Sequence, residues 1–248
     1  MSTNQGGWPP PSRNSGSSRR LLVASAVVLV VVIVIAIGVG LLARNALSEQ
    51  IAGVPTAVGG GVTIQNVATN GSVRVGEPDA AVTVRVVMDL QCPACQAFEQ
   101  ANGKVLEDAV RNGTAAVEYS VISFLDRAST TRYSSRAGNA SFCVADSGVD
   151  NYQKWLSEMF TRQPEEGGDG LPDSTLVDIA ASAGYTDSAV ADCITTHEYD
   201  TYLRTKTQEV LSSGVKSTPS VFINGEEFAD SNALFTPNGL APALAAAG

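Results

Sequence analysis

Histidine is almost missing from this chain: His197 is the only one among 248 residues. A serine–histidine hydrolase triad or a histidine-based metal centre therefore has little to build on. No Gly-x-Ser-x-Gly accompanies it, and His197 reads as a surface residue. Cysteine is scarce as well, with Cys92, Cys95, Cys143 and Cys193 making up the full set. Only the first two are closely spaced, so a zinc site lacks two ligands at matched spacing and no metal is expected. Acidic residues are absent from the first 43 positions. Beyond them, 13 basic residues face all 25 acidic ones, a net charge of −12. That balance argues against nucleic acid and against an anionic lipid surface as partners of this region. No cysteine follows directly on the apolar run described next, which excludes a lipid-modified cysteine there, and no internal repeat is evident.

What is present begins with that run. Leu21–Ala43 is an uncharged apolar stretch of 23 residues. At ~1.5 Å per residue it is roughly 34 Å long as a helix, enough to cross a bilayer with slight tilt. Arg13, Arg19 and Arg20 precede it, whereas Arg44 and Glu49 nearly cancel after it. The positive-inside rule puts the N-terminus in the cytoplasm and the remainder on the extracytoplasmic side of the cell membrane, as a single-pass protein. A cleavable signal peptide is the competing reading; its apolar core is shorter, and no small-x-small site follows here. The expected organisation is a disordered cytoplasmic tail over 1–20, a transmembrane anchor over 21–43 and a tether over 44–70 containing Gly59-Gly60-Gly61.

The rest alternates strand and helix signals. Val62–Val67 and Gly71–Val75 read as short strands and Val82–Met88 as a strong one, with Val82, Val84, Val86 and Met88 on one face. Ala94, Phe98, Ala101, Val105 and Ala109 form a helical stripe that ends at Asn112-Gly113. Ala116–Ile122 is the next strand, which makes a βαβ unit with parallel strands. From about Ser129 to Ser213 the pattern is helical. Trp155, Leu156, Met159 and Phe160 form one stripe there, and Leu176, Ile179 and Ala180 another, with Asp173 or Ser174 as its cap. Glu165–Gly170 reads as a solvated loop. Strand character returns at Ser220–Ile223, Asn224-Gly225 signals a type I′ hairpin into Glu226-Glu227-Phe228, and Thr236-Pro237 starts a terminal helix. The fold class is α/β: a mixed sheet in two halves, 71–127 and 214–248, separated by a helical insertion over 128–213.

The chemistry-bearing motif is Cys92-Pro93-Ala94-Cys95, set between strand and helix. A thiol at a helix N-terminus meets unpaired backbone N–H groups and the positive end of the macrodipole, and both favour its thiolate. With a second thiol one turn later, the pair suits thiol–disulfide exchange. Cys92 is the expected nucleophile, with its sulfur partly exposed, and Cys95 the more buried partner. Pro93 restricts the turn and gives up its own N–H. Thr218-Pro219 is the second constellation: a cis proline facing the CxxC would leave the Thr218 backbone free to pair with an extended substrate chain, whereas a proline that simply leads a strand is the ordinary alternative.

The segments Asp89-Leu90-Gln91-Cys92-Pro93-Ala94-Cys95 and Gly214–Gly225 resemble the DsbA family of extracytoplasmic thiol–disulfide oxidoreductases. The apolar anchor, the Cys-Pro-Ala-Cys, and Tyr133-Ser134-Ser135-Arg136 upstream of Phe142–Asp146 are similar to the membrane-tethered actinobacterial members. The resemblance covers about residues 70–247. It implies a thioredoxin fold with an inserted α-helical domain and no cofactor beyond the redox-active disulfide. It also implies exported, cysteine-containing substrate proteins and a membrane quinone-linked reoxidase of the DsbB or vitamin-K-epoxide-reductase-like type. Two positions depart from the family pattern. Ala94 stands where many relatives carry histidine, and Val86 where many carry a buried acid that moves the second thiol's proton. Asp89 is the nearest acid, either as a substitute in that role or as a solvated strand-end carboxylate.

Cys143 and Cys193 lie on predicted helices at opposite ends of the insertion. A structural disulfide between them is expected, supported by the second bridge of tethered relatives; an electron relay or two free thiols are the alternatives. Tyr133, Arg136 and Tyr199 read as packing or capping residues. The functional expectation is a dithiol oxidase that donates the Cys92–Cys95 disulfide to exported proteins. A reductase or isomerase of the same chemistry, and a tethered peptide-binding module without redox turnover, are the other readings.

Overall fold

The computed structural model describes residues 63–248. The expected tail, the anchor and residues 44–62 of the tether lie outside the described residues. Among the described residues no helix is long and apolar enough to cross a membrane. The elements are β1 (Val73–Val75), β2 (Val82–Met88), α1 (Pro93–Arg111), β3 (Ala115–Val121), α2 (Tyr133–Ser147), α3 (Tyr152–Thr161), α4 (Asp173–Ala183), α5 (Ser188–Thr196), α6 (Asp200–Ser212), β4 (Ser220–Ile223), β5 (Glu226–Glu227) and α7 (Ala241–Ala247).

The five strands form one mixed sheet in the order β1-β3-β2-β4-β5. β2 and β3 run parallel with Val84 opposite Val117, as a helical crossover requires. β1 is antiparallel to β3, and β4 is antiparallel to both β2 and β5. The strong β-branched run became the central strand: Val82, Val84, Val86 and Met88 are buried under α1 and the helical insertion. On the other face Val87, Ile122 and Val210 form a smaller apolar cluster with Leu211, Val215 and Phe222. The Asn224-Gly225 turn takes positive φ at both residues, +51° and +87°, which is the conformation a type I′ hairpin demands.

The insertion, α2 to α6, shares a core with the sheet. One apolar cluster runs from Val84 and Phe98 through Phe142 and Trp155 to Ile179. Gly138 sits mid-helix in α2 because a Cβ there would come within 2.6 Å of Leu203 on α6, a close approach that outweighs glycine's cost in a helix. Cys143 on α2 is bonded to Cys193 on α5, both buried. Closing a loop with a sequence separation of 50 restricts the unfolded chain by roughly 4 kcal/mol in the chain-entropy account. Replacing both cysteines by serine is expected to lower unfolding stability by about that amount. Denaturant melts of both proteins measure it, and a loss below about 1 kcal/mol would deny the bridge a stabilising role.

Several sequence expectations shift. Val62–Val67 is not a strand within the described residues; only Val67 bridges Val73. Asn66 turns at φ +60° and a tight Ala68–Gly71 turn folds the chain back too soon for a ladder. The buried stripe of α1 is Cys95, Phe98, Asn102, Leu106 and Ala109, about one position on from the expected Ala94, Ala101 and Val105. Helical side chains lean toward the N-terminus, which moves the covered face. Asn102 is polar yet buried because its Nδ2 donates to the carbonyls of Ala233 and Leu234 and its Oδ1 accepts from the Leu240 N–H. Asp173 and Ser174 do not cap α4, whose N-cap is Pro172; the Asp173 carboxylate is taken instead by Arg136 at 2.7 Å and His197 at 2.9 Å. His197 is therefore half-buried at the end of α5, where it adopts a left-handed conformation. Thr236 closes a 3₁₀ turn at Ala233–Phe235, and the terminal helix starts later, at Ala241-Pro242.

Candidate active site

β2 delivers the chain to the C-terminal edge of the sheet, where Asp89 to Gln91 turn it into α1. Cys92 is the N-cap of α1 in extended conformation and Pro93 occupies its first turn, where a missing N–H costs nothing. The turn is closed by the Cys92 N–H donating to the Asp89 carbonyl at 3.0 Å. Cys92 is 8 % exposed and Cys95 is wholly buried. The order of burial agrees with expectation, but the Cys92 sulfur is less open than partly exposed. The reason is the loop before β4, which crosses over it. The Thr218–Pro219 peptide is cis, and the Cys92 thiol donates to the Thr218 carbonyl at 3.5 Å. Residues 126 positions apart in sequence thus meet.

The two thiols differ strongly in acidity. Cys92 is lowered to about 6, first by a hydrogen bond with the Cys95 side chain, then by the Thr218 side chain and by the backbone N–H groups of Cys95 and Ala94; burial opposes the shift. The helix-terminal amides invoked from sequence contribute, yet less than the neighbouring thiol. Cys95 is pushed well above the ordinary thiol range, by burial first and then by the hydrogen bond to and charge of Cys92. One sulfur is poised as a thiolate near neutral pH and the other holds its proton, which is the division of labour that exchange chemistry needs.

A thioredoxin family profile matches residues 68–236. The chain belongs to the thioredoxin family, as a DsbA-like thiol–disulfide oxidoreductase. DsbA from Mycobacterium tuberculosis, in a reduced-state crystal structure, is 30 % identical and superimposes with a TM-score of 0.59 over 71 % of this chain and 99 % of that one. MdbA, a thiol-disulfide oxidoreductase from Corynebacterium diphtheriae, shares the fold at 23 % identity and a TM-score of 0.58, covering 73 % of this chain and 92 % of that one. The serine/threonine-protein kinase PknE of Mycobacterium tuberculosis is 32 % identical over 130 residues, which is 50 % of this chain and 23 % of that protein. The chain thus spans about a quarter of the length of that kinase.

In this DsbA-like protein Asp89 is not solvated. It has no exposed surface, and burial raises its carboxyl to about 6 against the pull of three hydrogen bonds, with the nearby Cys92 charge adding to the rise. Oδ1 accepts from the Gln91 N–H at 2.8 Å and the Ser134 hydroxyl at 2.7 Å, and Oδ2 accepts from the Leu125 N–H at 2.8 Å. Sequence reading missed the groups around it. Gln163, just beyond α3, donates through Nε2 to the carbonyls of Leu90 and Cys92. Gln96 donates to the Phe160 carbonyl at 2.7 Å. Gln91 is fully buried beside the nucleophile candidate. Ser134 lies in the Tyr133–Arg136 segment that carries the family resemblance, but no local pattern announces its role or that of Gln163, because each acts across more than 40 positions. Tyr133 is buried at the start of α2, Arg136 ties the 169–173 segment, and Tyr199 donates its N–H to Asn139 and its hydroxyl to Asp146, so these residues pack and brace the insertion.

Proposed function

We propose that the protein is a membrane-anchored dithiol oxidase, held at the extracytoplasmic face by residues 21–43, that donates the Cys92–Cys95 disulfide to exported proteins. Cysteine-containing proteins are the substrates of a DsbA-like oxidoreductase. The observation that carries the oxidase reading is the opposed acidity of the two thiols, with Cys92 beneath the Thr218 carbonyl. A substrate thiolate attacks the Cys92 sulfur; the Cys92–Cys95 bond breaks, and Cys95 leaves with the electron pair and takes a proton. The substrate's second thiolate then attacks its own sulfur in the mixed disulfide, and Cys92 leaves as a stabilised thiolate. The substrate has lost two electrons and gained a disulfide, and the protein holds two reduced sulfurs. Ala94 and the backbone of Thr218 border the reacting sulfur, and an extended substrate chain pairs with Thr218 as a strand would. A quinone-linked membrane protein of the DsbB or vitamin-K-epoxide-reductase-like type returns the pair to the disulfide.

A leaving thiolate whose thiol is lowered from 9.0 to about 6 raises the potential, because the reduced state is the favoured one. Equilibration with glutathione buffers is expected to give a potential above about −180 mV; a value near −270 mV would make the protein a reductase.

A further inference from the structure

The inserted helical domain reaches the active-site turn through Ser134, at the Asp89 carboxylate, and through Gln163, at the turn's carbonyls. We propose that Asp89 and Ser134 are positioning residues through which the insertion sets the reactivity of Cys92. This rests on Cys92 being the exchanging thiol.

A carboxylate taken wholly out of water needs a cation or a full set of donors. Asp89 forms no ion pair with a described residue; three donors from three separate segments hold it instead. Gln91 belongs to the active-site turn itself. Leu125 belongs to the connection after β3. Ser134 belongs to the first turn of α2, the first helix of the insertion. The carboxylate is therefore the point where the turn, the sheet and the insertion are pinned together, three residues before the CxxC begins. The Ser134 hydroxyl also lies 3.2 Å from Gln91 Oε1, so one insertion residue touches both polar side chains of the turn. Gln163 holds the far side of the same turn by its carbonyls. None of these groups meets the Cys92 sulfur, so their effect on it passes through the carboxylate and the backbone.

Asp89 acts on Cys92 by charge as well as by place. The influence of Cys92 on Asp89 is reciprocal: an ionised Asp89 repels the Cys92 thiolate as much as the thiolate repels it. Both groups titrate at about 6, so the charge state of one depends on that of the other across the same pH range. Other ionisable groups face this pair from the surrounding elements. Cys95 lies on α1 and receives the Asp89 N–H. Tyr133 lies on α2, with Arg136 over its ring. Asp126 lies on the turn after Leu125 and is engaged by the Ser135 N–H at 2.8 Å. Tyr133 and Cys95 stay protonated near neutral pH, since burial raises both. Ser134 donates its hydroxyl proton to the ionised form of Asp89 and so, with the Gln91 and Leu125 N–H groups, opposes the rise that burial imposes on that carboxyl.

The test uses the full chain with Asp89→Asn, Ser134→Ala and the two combined. Its readouts are the pH profile of Cys92 alkylation by iodoacetamide and the glutathione equilibrium. Asp89→Asn removes the charge, so the alkylation midpoint is expected to move to lower pH and the disulfide to be reduced about three- to tenfold more readily, which corresponds to half to one pKa unit. Ser134→Ala, by leaving Asp89 protonated to higher pH, shifts both in the same direction by less. The double variant is expected to match Asp89→Asn alone, because the Ser134 hydroxyl acts on the sulfur by its short bond to the Asp89 carboxylate rather than by its longer contact with Gln91. Unmoved profiles with only a lowered melting temperature would reduce the pair to a structural tie and overturn the proposal, as would effects that simply add. If Asp89→Asn does not fold, since its Nδ2 meets the Leu125 N–H donor to donor, Ser134→Ala decides alone: an unmoved midpoint refutes the coupling. The unmutated chain keeps the two readings apart. A Cys92 that alkylates like an ordinary thiol there defeats the functional reading, whereas a reactive Cys92 unaffected by the variants defeats only the coupling.

Discussion

Cys95→Ala is expected to leave the protein covalently joined to other proteins in living cells, as a ladder on non-reducing gels that collapses on reduction. The argument follows from the geometry of α1. Cys92 and Cys95 sit one turn apart, so in the intact protein the buried thiol attacks any bond formed at Cys92 faster than a second molecule can arrive. Without it, the Cys92 thiolate still attacks a disulfide of a client or of the reoxidising partner, but no neighbour releases it. Its acidity ensures that most of the sulfur is ionised at pH 7. Adding Cys92→Ser should remove the ladder, and Cys92→Ser alone should abolish disulfide transfer, a loss of at least about a thousandfold because Cys95 then has no sulfur partner with which to form the disulfide that is donated. A ladder that survives the double replacement, or none in the Cys95→Ala protein, would remove Cys92 from the reaction. Mass spectrometry of the trapped species names clients and reoxidant together.

The second large effect is a pH-dependent gap between the stabilities of the reduced and oxidised forms. Cys92 is depressed in the folded state from 9.0 to about 6. A depressed group contributes stability that is fully present above its unfolded value and is lost as pH falls through its folded value. The reduced protein should therefore gain on the oxidised one as pH rises from about 6 to 9, by at most about 4 kcal/mol, of which about 1.4 kcal/mol is present at pH 7. Two neighbours do not cancel this. Cys95 is raised, so its window opens above pH 9. Asp89 is raised to about 6, so its contribution is full below about 4 and fades as pH climbs, and burial, its main cause, is common to both redox forms. Denaturant unfolding of both forms at pH 5, 7 and 9 measures the gap. A gap that stays level across that range would mean that the thiolate is not stabilised by the fold.

Much of this architecture was readable one segment at a time. The alternation of Val82, Val84, Val86 and Met88 matches the two-residue period of a strand, and the same residues line the core face of β2. Asn224-Gly225 made its hairpin because both residues tolerate positive φ. The helix after Cys92 was clear from its period, although its buried face was placed a position early and Asn102 was not among the expected core residues. Misreadings arose where a polar side chain found a distant partner. Asp173 looked like a cap and became the ligand of Arg136 and His197. Asp89 read either as a proton-moving acid or as a solvated strand-end carboxylate, and it is a buried carboxyl held by the active-site turn and the insertion.

The amino-acid order alone determined the strand–CxxC–helix unit, because alternation, helical period and turn sterics act over about four residues and need no other part of the chain. Tertiary structure alone decided that Cys92 lies under Thr218, that Cys95 keeps its proton, and that a serine from the insertion holds Asp89. Those outcomes depend on burial and on hydrogen-bond partners brought from as far as 126 positions away, and desolvation has no local signature for a sequence to display.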